Sequence, residues 1–113
     1  MERFRVEPAD SYQGIDAVDI ADGFDRVVLD LPEPWRVVPH AEAALRLGGI
    51  LVAYTPSITQ AAQVRECFSR KWIDSRTIEV LHRGWYIADR AVRPDHRMVA
   101  HTGFLTSARL LRV

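Results

Sequence analysis

The sequence predicts an α/β fold, the second half of a doubly wound sheet that ends in an antiparallel hairpin. Two short apolar runs rich in β-branched residues are each followed by a helical stretch, a pattern typical of parallel strands buried on both faces. Two longer β-rich runs then follow with no helix between them. The predicted order is strand, helix, strand, helix, strand, strand. In sheets of this kind ligands bind at the carboxyl ends of the strands.

The first strand is predicted over residues 24–31. This run is mostly apolar, contains Val27 and Val28, and lies between Gly23 and Pro32. Asp30 therefore stands at the carboxyl end of a buried strand.

The first helix is predicted to follow a proline-rich turn. Prolines interrupt both strands and helices, so the helix begins at Trp35 or at Pro39. Its apolar residues lie on one side as far as Arg46, and the pair Gly48-Gly49 is expected to end it.

The second strand and helix are predicted over residues 50–71. Residues 50–54 read as a buried strand that Thr55-Pro56 ends. Ser57 and Gln60 have the spacing of a capping box, in which the Ser57 hydroxyl accepts from the Gln60 amide and the Gln60 side chain returns the bond. The helix that begins there is expected to fade near Lys71.

The last two β-rich runs cover residues 77–87 and 97–110. A charged loop over residues 89–96 joins them, as in a broad hairpin. We expect the two runs to pair antiparallel.

Size and composition indicate one folded unit over residues 1–113. With 48% hydrophobic residues, a chain of this length buries a single core. Cys67 is the only cysteine and cannot form an internal disulfide, and the chain starts without the apolar run of a signal peptide. No apolar run approaches the roughly 20 residues that would span a bilayer. We therefore expect a cytoplasmic protein with no membrane segment.

The charges are unevenly distributed although the net charge is zero. Residues 1–46 hold ten acids and five bases, whereas residues 47–113 hold five acids and ten bases. This polarity is either the electrostatic footprint of a nucleic-acid partner or an ordinary solvated surface.

The segment that follows the first strand combines groups that suit a nucleobase. Asp30 supplies a carboxylate, Pro32 and Pro34 fix the backbone, and Trp35 offers a surface for stacking. The alternative is structural, with Asp30 as a helix cap and Trp35 in the core.

Three blocks of the sequence resemble the bacterial and archaeal tRNA (adenine-58-N1)-methyltransferases, a family with the class I S-adenosylmethionine-dependent methyltransferase fold, which is Rossmann-like. They occur in the family's order and lie at residues 30–35 (Asp30-Leu31-Pro32-Glu33-Pro34-Trp35), 45–60 and 93–105. Leu47 stands where the family commonly has Pro. The resemblance implies transfer of a methyl group from S-adenosylmethionine to N1 of an adenine in the T-loop of tRNA, without a metal.

The resemblance also implies roles for individual residues. Asp30 is implied as the catalytic carboxylate, which binds the exocyclic amine of the adenine and touches the methionine end of the cofactor. Asp10 is implied to contact the cofactor's adenine, although an Asp four residues before Gly14 also suits a plain turn. The residues implied to bind substrate are Pro32, Pro34, Trp35, Arg93, Arg97 and His101.

Alternatives remain for the polar residues of the hairpin. Arg93 and Arg97 suit phosphate contacts, but a solvated loop explains them equally well. His101 either contacts RNA or is a hydrogen-bonded sheet histidine. The four histidines lack the i, i+4 spacing and the cysteine company of a zinc site, so no metal is expected.

Relative to the family, the chain is expected to be a partial catalytic domain. It holds no Gly-x-Gly turn, and both the glycine-rich cofactor half and the amino-terminal β domain of the family are missing. One edge of the first strand is then bare, which predicts self-association or pairing with a strand at Phe4-Arg5-Val6. The family forms tetramers, so a homo-oligomer is expected.

Three functions are compatible with these observations. The chain is part of a tRNA adenine-N1 methyltransferase and inactive alone, or it is a catalytically silent remnant that serves in assembly or RNA binding. Methylation of proteins or small molecules on the same fold is the third.

Overall fold

The computed structural model describes residues 4–16, 20–97 and 101–111. Six strands, a short 3-10 helix and two α-helices are found there. In chain order they are β1 (Phe24–Leu29), the 3-10 helix (Pro34–Arg36), α1 (Val38–Ala44), β2 (Leu45–Thr55), α2 (Ile58–Glu66), β3 (Trp72–Leu81), β4 (Trp85–Ala88), β5 (Ala91–Pro94) and β6 (His101–Leu110).

Four strands form one sheet in the order β1-β2-β6-β3. β1 and β2 are parallel, with Val27 opposite Leu51, whereas β6 is antiparallel to both of its neighbours, β2 and β3. The predicted half of a doubly wound sheet with a closing antiparallel pair is confirmed.

The prediction that Gly48-Gly49 ends the first helix is wrong. The helix stops at Ala44, and Leu45 is already extended, with φ −77° and ψ 144°, as the first residue of β2. β2 then runs through both glycines. Gly48 has φ +80°, and a Cβ on Gly49 would lie 2.9 Å from the Arg46 carbonyl oxygen. The glycines permit a close backbone approach within a strand instead of ending a helix.

The cap of α2 is confirmed in part. The Ser57 hydroxyl accepts from the Gln60 amide at 3.3 Å, as predicted. The Gln60 side chain does not return to the Ser57 backbone; its oxygen accepts from the Ser57 hydroxyl at 2.8 Å and its amide faces the Pro32 carbonyl at 3.5 Å. The helix ends at Glu66, before the predicted Lys71.

The two long β-rich runs do pair antiparallel, as β3 and β6. The first run is not continuous, because it breaks after Leu81 and resumes at Trp85 as β4. β4 pairs with β5 in a separate two-stranded sheet, so part of the predicted loop is strand. A backbone bond from Asp95 N to the Gly84 carbonyl, 3.0 Å long, closes the base of this small hairpin.

The core lies on one face of the four-stranded sheet. Both helices pack there, through Val38 and Ala41 of α1 and Val64 of α2. They cover side chains that alternate along the strands: Val27, Leu29, Leu51, Ala53, Ala108 and Leu110. We call this the covered face.

β1 is an edge strand of the described structure. No strand among the described residues pairs with its outer side, since residues 4–10 form none. The predicted pairing by Phe4-Arg5-Val6 is therefore wrong, and Phe4 and Val6 are exposed. In the described ranges no helix is both long and apolar enough to cross a membrane.

Candidate active site at the carboxyl ends of the parallel strands

Asp30 follows the last residue of β1 directly. Leu29 is buried against the core, which anchors the strand end, whereas Asp30 is exposed. An open cavity of about 440 Å³ lies in front of it. Its lining residues come from the ends of both parallel strands and the start of α2: Asp30, Leu31, Pro32, Tyr54, Pro56 and Gln60.

The proline-rich turn divides between this cavity and the core. Pro32 lines the cavity, whereas Pro34 is fully buried and begins the 3-10 helix. Trp35 is half-buried and packs against the core cluster, so it does not line this cavity. Of these three residues, the structure places only Pro32 beside Asp30.

Tyr12 holds the upstream segment against the proline-rich turn. Its hydroxyl accepts from the Glu33 amide at 3.0 Å, and its carbonyl lies 3.0 Å from the His40 ring nitrogen Nε2. The Arg36 guanidinium stacks over the Tyr12 ring at 4.2 Å. Asp10 is exposed, and its carboxylate accepts from the Tyr12 amide at 3.0 Å, which closes a turn. Asp10 therefore forms a turn on a segment that is attached to the Asp30 loop.

Tyr54 is a site residue that sequence reasoning missed. Its hydroxyl donates to the Thr102 carbonyl at 2.8 Å, and its ring covers Gly103 so closely that a Cβ there would lie 2.1 Å from Cε2. We interpreted Tyr54 as an ordinary residue of a buried strand. Its position just before Thr55-Pro56, at the same level of the sheet as Asp30, is the signal that could have identified it.

Gln60 was likewise interpreted only as part of a helix cap. Its side chain connects the start of α2 with the Pro32 carbonyl on the cavity wall. The cap and the cavity thus share this side chain.

The hairpin residues lie at the same end of the sheet as Asp30. Thr55, the last residue of β2, pairs with Phe104, so the residues of β6 that precede Phe104 extend beyond the end of β2. Arg93 is half-buried and stacks over Tyr86 at 4.4 Å, and Arg97 is exposed. His101 begins β6, and its side chain lies outside the described residues. Within the described part of the chain no three His, Cys, Asp or Glu side chains are grouped to hold a metal.

The sheet has the fold of the S-adenosylmethionine-dependent methyltransferases, and the cavity lies at the carboxyl ends of its parallel strands. The structure is similar to a SAM-dependent O-methyltransferase from Thermotoga maritima, with a TM-score of 0.81 and 26% identity over 93% of this chain and 38% of that chain. It is also similar to the tRNA (m1A58) methyltransferase TrmI from Aquifex aeolicus, with a TM-score of 0.71 and 25% identity over 85% of this chain and 40% of that chain.

The chain belongs to the family described as tRNA methyltransferase complex GCD14 subunit, whose model matches residues 5–93. A relative from Methanocaldococcus jannaschii, the tRNA (adenine(57)-N(1)/adenine(58)-N(1))-methyltransferase TrmI, is 39% identical over 104 residues, which cover 89% of this chain. The match covers 35% of that relative, so the chain spans about a third of the length of the curated relatives it matches. The resemblance found in the sequence is confirmed.

Proposed function

We propose that this chain supplies the substrate side and the catalytic carboxylate of a tRNA (adenine-58-N1)-methyltransferase. The observation that carries the proposal is the position of Asp30, exposed at the carboxyl end of a parallel strand in a cavity shared with Tyr54. Relatives named as enzymes of this activity match most of the chain. The chain is proposed to be inactive alone.

The donor set of the cavity fits one end of S-adenosylmethionine. Asp30 offers a carboxylate to a cationic sulfonium and its amino group, and Asp10 lies on the attached upstream segment for the adenosine end. When bound, this cofactor supplies an electrophilic methyl group. The described residues contain no glycine-rich turn for its remainder, so the chain is proposed to need a complementary half for cofactor binding.

Asp30 is proposed to act on the adenine through its charge. As N1 gains the methyl group the base becomes cationic, so a carboxylate that accepts from the exocyclic amine stabilises the transition state more than the ground state. Pro32 and Tyr54 form firm walls beside it, and Tyr54 is fixed by its bond to Thr102. A base held in this orientation needs no covalent enzyme intermediate.

tRNA is proposed to contact the hairpin end of the sheet. Arg93 and Arg97 are proposed to bind phosphates, and His101 begins the strand that carries Thr102 and Gly103 next to Tyr54. Pro34 and Trp35 are buried or half-buried, so they are proposed to position the turn below the base instead of stacking on it. Assembly into a homo-oligomer, a tetramer as in the family, is part of the same proposal.

The test is methyl transfer with the complementary half present. The chain is fused behind the cofactor half of the M. jannaschii relative, and 1-methyladenine is measured by mass spectrometry in tRNA transcripts with and without the target adenine. Asp30→Asn should lower kcat by about 10²- to 10³-fold. Asp25→Asn is the matched control, because that exposed carboxylate pairs with Arg46 at the other end of β1 and its loss should change little. Full activity of Asp30→Asn would refute the proposal.

The catalytically silent alternative is separated by the same fusion assay, because a silent remnant should leave the tRNA without 1-methyladenine. Titration of the 113-residue chain alone with S-adenosylmethionine tests autonomous catalysis, which no binding near millimolar concentration would exclude. Transfer by the fused enzyme to a small-molecule hydroxyl, with tRNA left unmodified, would instead favour the chemistry named for the T. maritima neighbour.

A further inference from the structure

Tyr12 is half-buried and uses its backbone, its ring and its hydroxyl on different parts of the site. Its amide donates to the Asp10 carboxylate at 3.0 Å, and its carbonyl accepts from His40 Nε2, also at 3.0 Å. The hydroxyl accepts from the Glu33 amide at 3.0 Å. The ring packs against the core cluster, with the Arg36 guanidinium 4.2 Å from its centroid. Tyr12 therefore joins the Asp10 turn to the proline-rich turn and to α1.

The Glu33 amide is the only backbone donor of the Pro32-Glu33-Pro34 turn. Prolines carry no N–H group, so neither Pro32 nor Pro34 can donate. The turn can therefore be held by a backbone N–H at one point only, and that N–H donates to the Tyr12 hydroxyl. Pro32, one residue earlier, lines the cavity in front of Asp30. A change at the Tyr12 hydroxyl should therefore shift the cavity wall beside the catalytic carboxylate.

We propose that Tyr12 is a positioning residue for methyl transfer, which fixes the base side of the site relative to the cofactor side. The inference rests on the proposed function, in which Asp10 contacts the adenosine end of the cofactor and Asp30 contacts the target adenine. The Tyr12 hydroxyl orients the turn that follows Asp30, whereas the Tyr12 amide and carbonyl hold the Asp10 turn. Transfer between two bound reactants depends steeply on their separation, so a residue that bridges both sites sets that separation.

Two substitutions separate the two sides of Tyr12. Tyr12→Phe keeps the ring, its packing against the core and both backbone bonds, and removes only the acceptor for the Glu33 amide. His40→Leu removes the donor to the Tyr12 carbonyl and leaves the bond between the hydroxyl and Glu33 in place. A tyrosine that served packing alone would give no such division between the two variants.

The test uses the chain fused behind the cofactor half of the M. jannaschii relative, assayed at saturating tRNA over a range of S-adenosylmethionine concentrations. Tyr12→Phe should lower kcat by about 10-fold and change KM for S-adenosylmethionine by less than about 2-fold, because the base is misplaced while the cofactor side is intact. His40→Leu should do the reverse. It should raise that KM by about 3- to 10-fold with kcat nearly unchanged, since the Asp10 turn loses an anchor.

Ser69→Ala is the matched control for the loss of a long-range hydrogen bond. The Ser69 hydroxyl donates to the Glu42 carboxylate at 2.9 Å, and neither residue lines the cavity. Both kinetic constants of this variant should stay within about 2-fold of the unaltered enzyme. Circular dichroism and urea unfolding measure how much stability each variant loses, so that the rates are compared between folded enzymes.

A second measurement needs neither tRNA nor cofactor. In the 113-residue chain, hydrogen exchange at the Glu33 amide should be slow, and Tyr12→Phe should accelerate it by about 10-fold because the acceptor is lost. Three results would overturn the inference: an unprotected Glu33 amide in the unaltered chain, an unchanged kcat in Tyr12→Phe, or an equal loss of kcat in Ser69→Ala. A protected amide beside a fused enzyme that fails to methylate would reject the proposed function alone.

Discussion

The covered face of the sheet and the opposite face, which we call the open face because neither helix packs on it, are built from the same strands and nearly the same residue types. On the covered face Leu51, Ala53 and Val27 lie under α1 and α2, whereas Val52 and Val28, one residue away, face outward. The difference therefore lies in what packs on each face and not in strand composition. Apolar residues therefore occur on both sides of the sheet, although helices cover only one of them.

The largest contrast should appear when apolar side chains are shortened on each face. Leu51→Ala removes a fully buried side chain and should lower the free energy of unfolding by about 2–5 kcal/mol. Val28→Ala, on the open face, should change it by less than about 0.5 kcal/mol. Urea unfolding measures both. A similar loss in the two variants would show that the open face is already covered in solution.

A smaller effect tests the one tight contact identified on the open face. Gly103→Ala places a Cβ against the Tyr54 ring and should cost about 1–3 kcal/mol. In a Tyr54→Ala background the same change should cost less than about 1 kcal/mol, because the clash is gone. Equal costs in both backgrounds, measured by urea unfolding, would place the strain elsewhere.

The helix layer on the covered face can be weakened at its cap. Ser57→Ala removes the acceptor for the Gln60 amide and should cost about 0.5–2 kcal/mol in thermal or urea unfolding. Gln63→Ala, in the same helix and exposed, is the control and should stay within about 0.5 kcal/mol. If the two variants were equally stable, the Ser57 hydroxyl would contribute no capping energy.

The smallest effect concerns reactivity on the helix side. Burial, and to a lesser degree the charge of Glu66, raise the pKa of the Cys67 thiol. At a given pH the thiolate fraction should therefore be lower than in an unstructured peptide. The rate of alkylation by iodoacetamide should rise at a higher pH than it does for that peptide. Glu66→Gln should lower the pKa of Cys67 part of the way back toward its ordinary value. A pH–rate profile that coincides with the peptide's would contradict this.

The sequence was sufficient for those parts of the fold that local patterns determine. The apolar runs at β1 and β2, the Ser57 cap and the antiparallel pairing of β3 with β6 were all predicted. Gly48-Gly49 misled the prediction because glycines also occur in strands where backbones approach closely, and that approach depends on Arg46 and Phe24 in space.

The candidate site was predicted less completely than the fold. The positions of Asp30 and Pro32 follow from the end of one strand, so a single apolar run locates them. Tyr54 and Gln60 enter the cavity from β2 and α2, and their part in it depends on the parallel register of β1 with β2. A sequence pattern does not specify which residues of the two strands lie opposite each other. The prediction that both faces of the parallel strands are buried is wrong for the open face, where Val28 is exposed, since a run apolar on both sides is compatible with one covering layer or two.

The strand order also has a consequence for the speed of folding. Partners in β1–β2 and in β3–β6 are closer along the chain than any partners in β2–β6, such as Leu51 and Ala108. Contacts that close long loops form slowly, so we expect two local units to form first and the β2–β6 seam to join them. The Tyr54–Thr102 bond crosses this seam. The cavity wall at Tyr54 is then among the last features to become native, and its completion reports that the whole chain has folded.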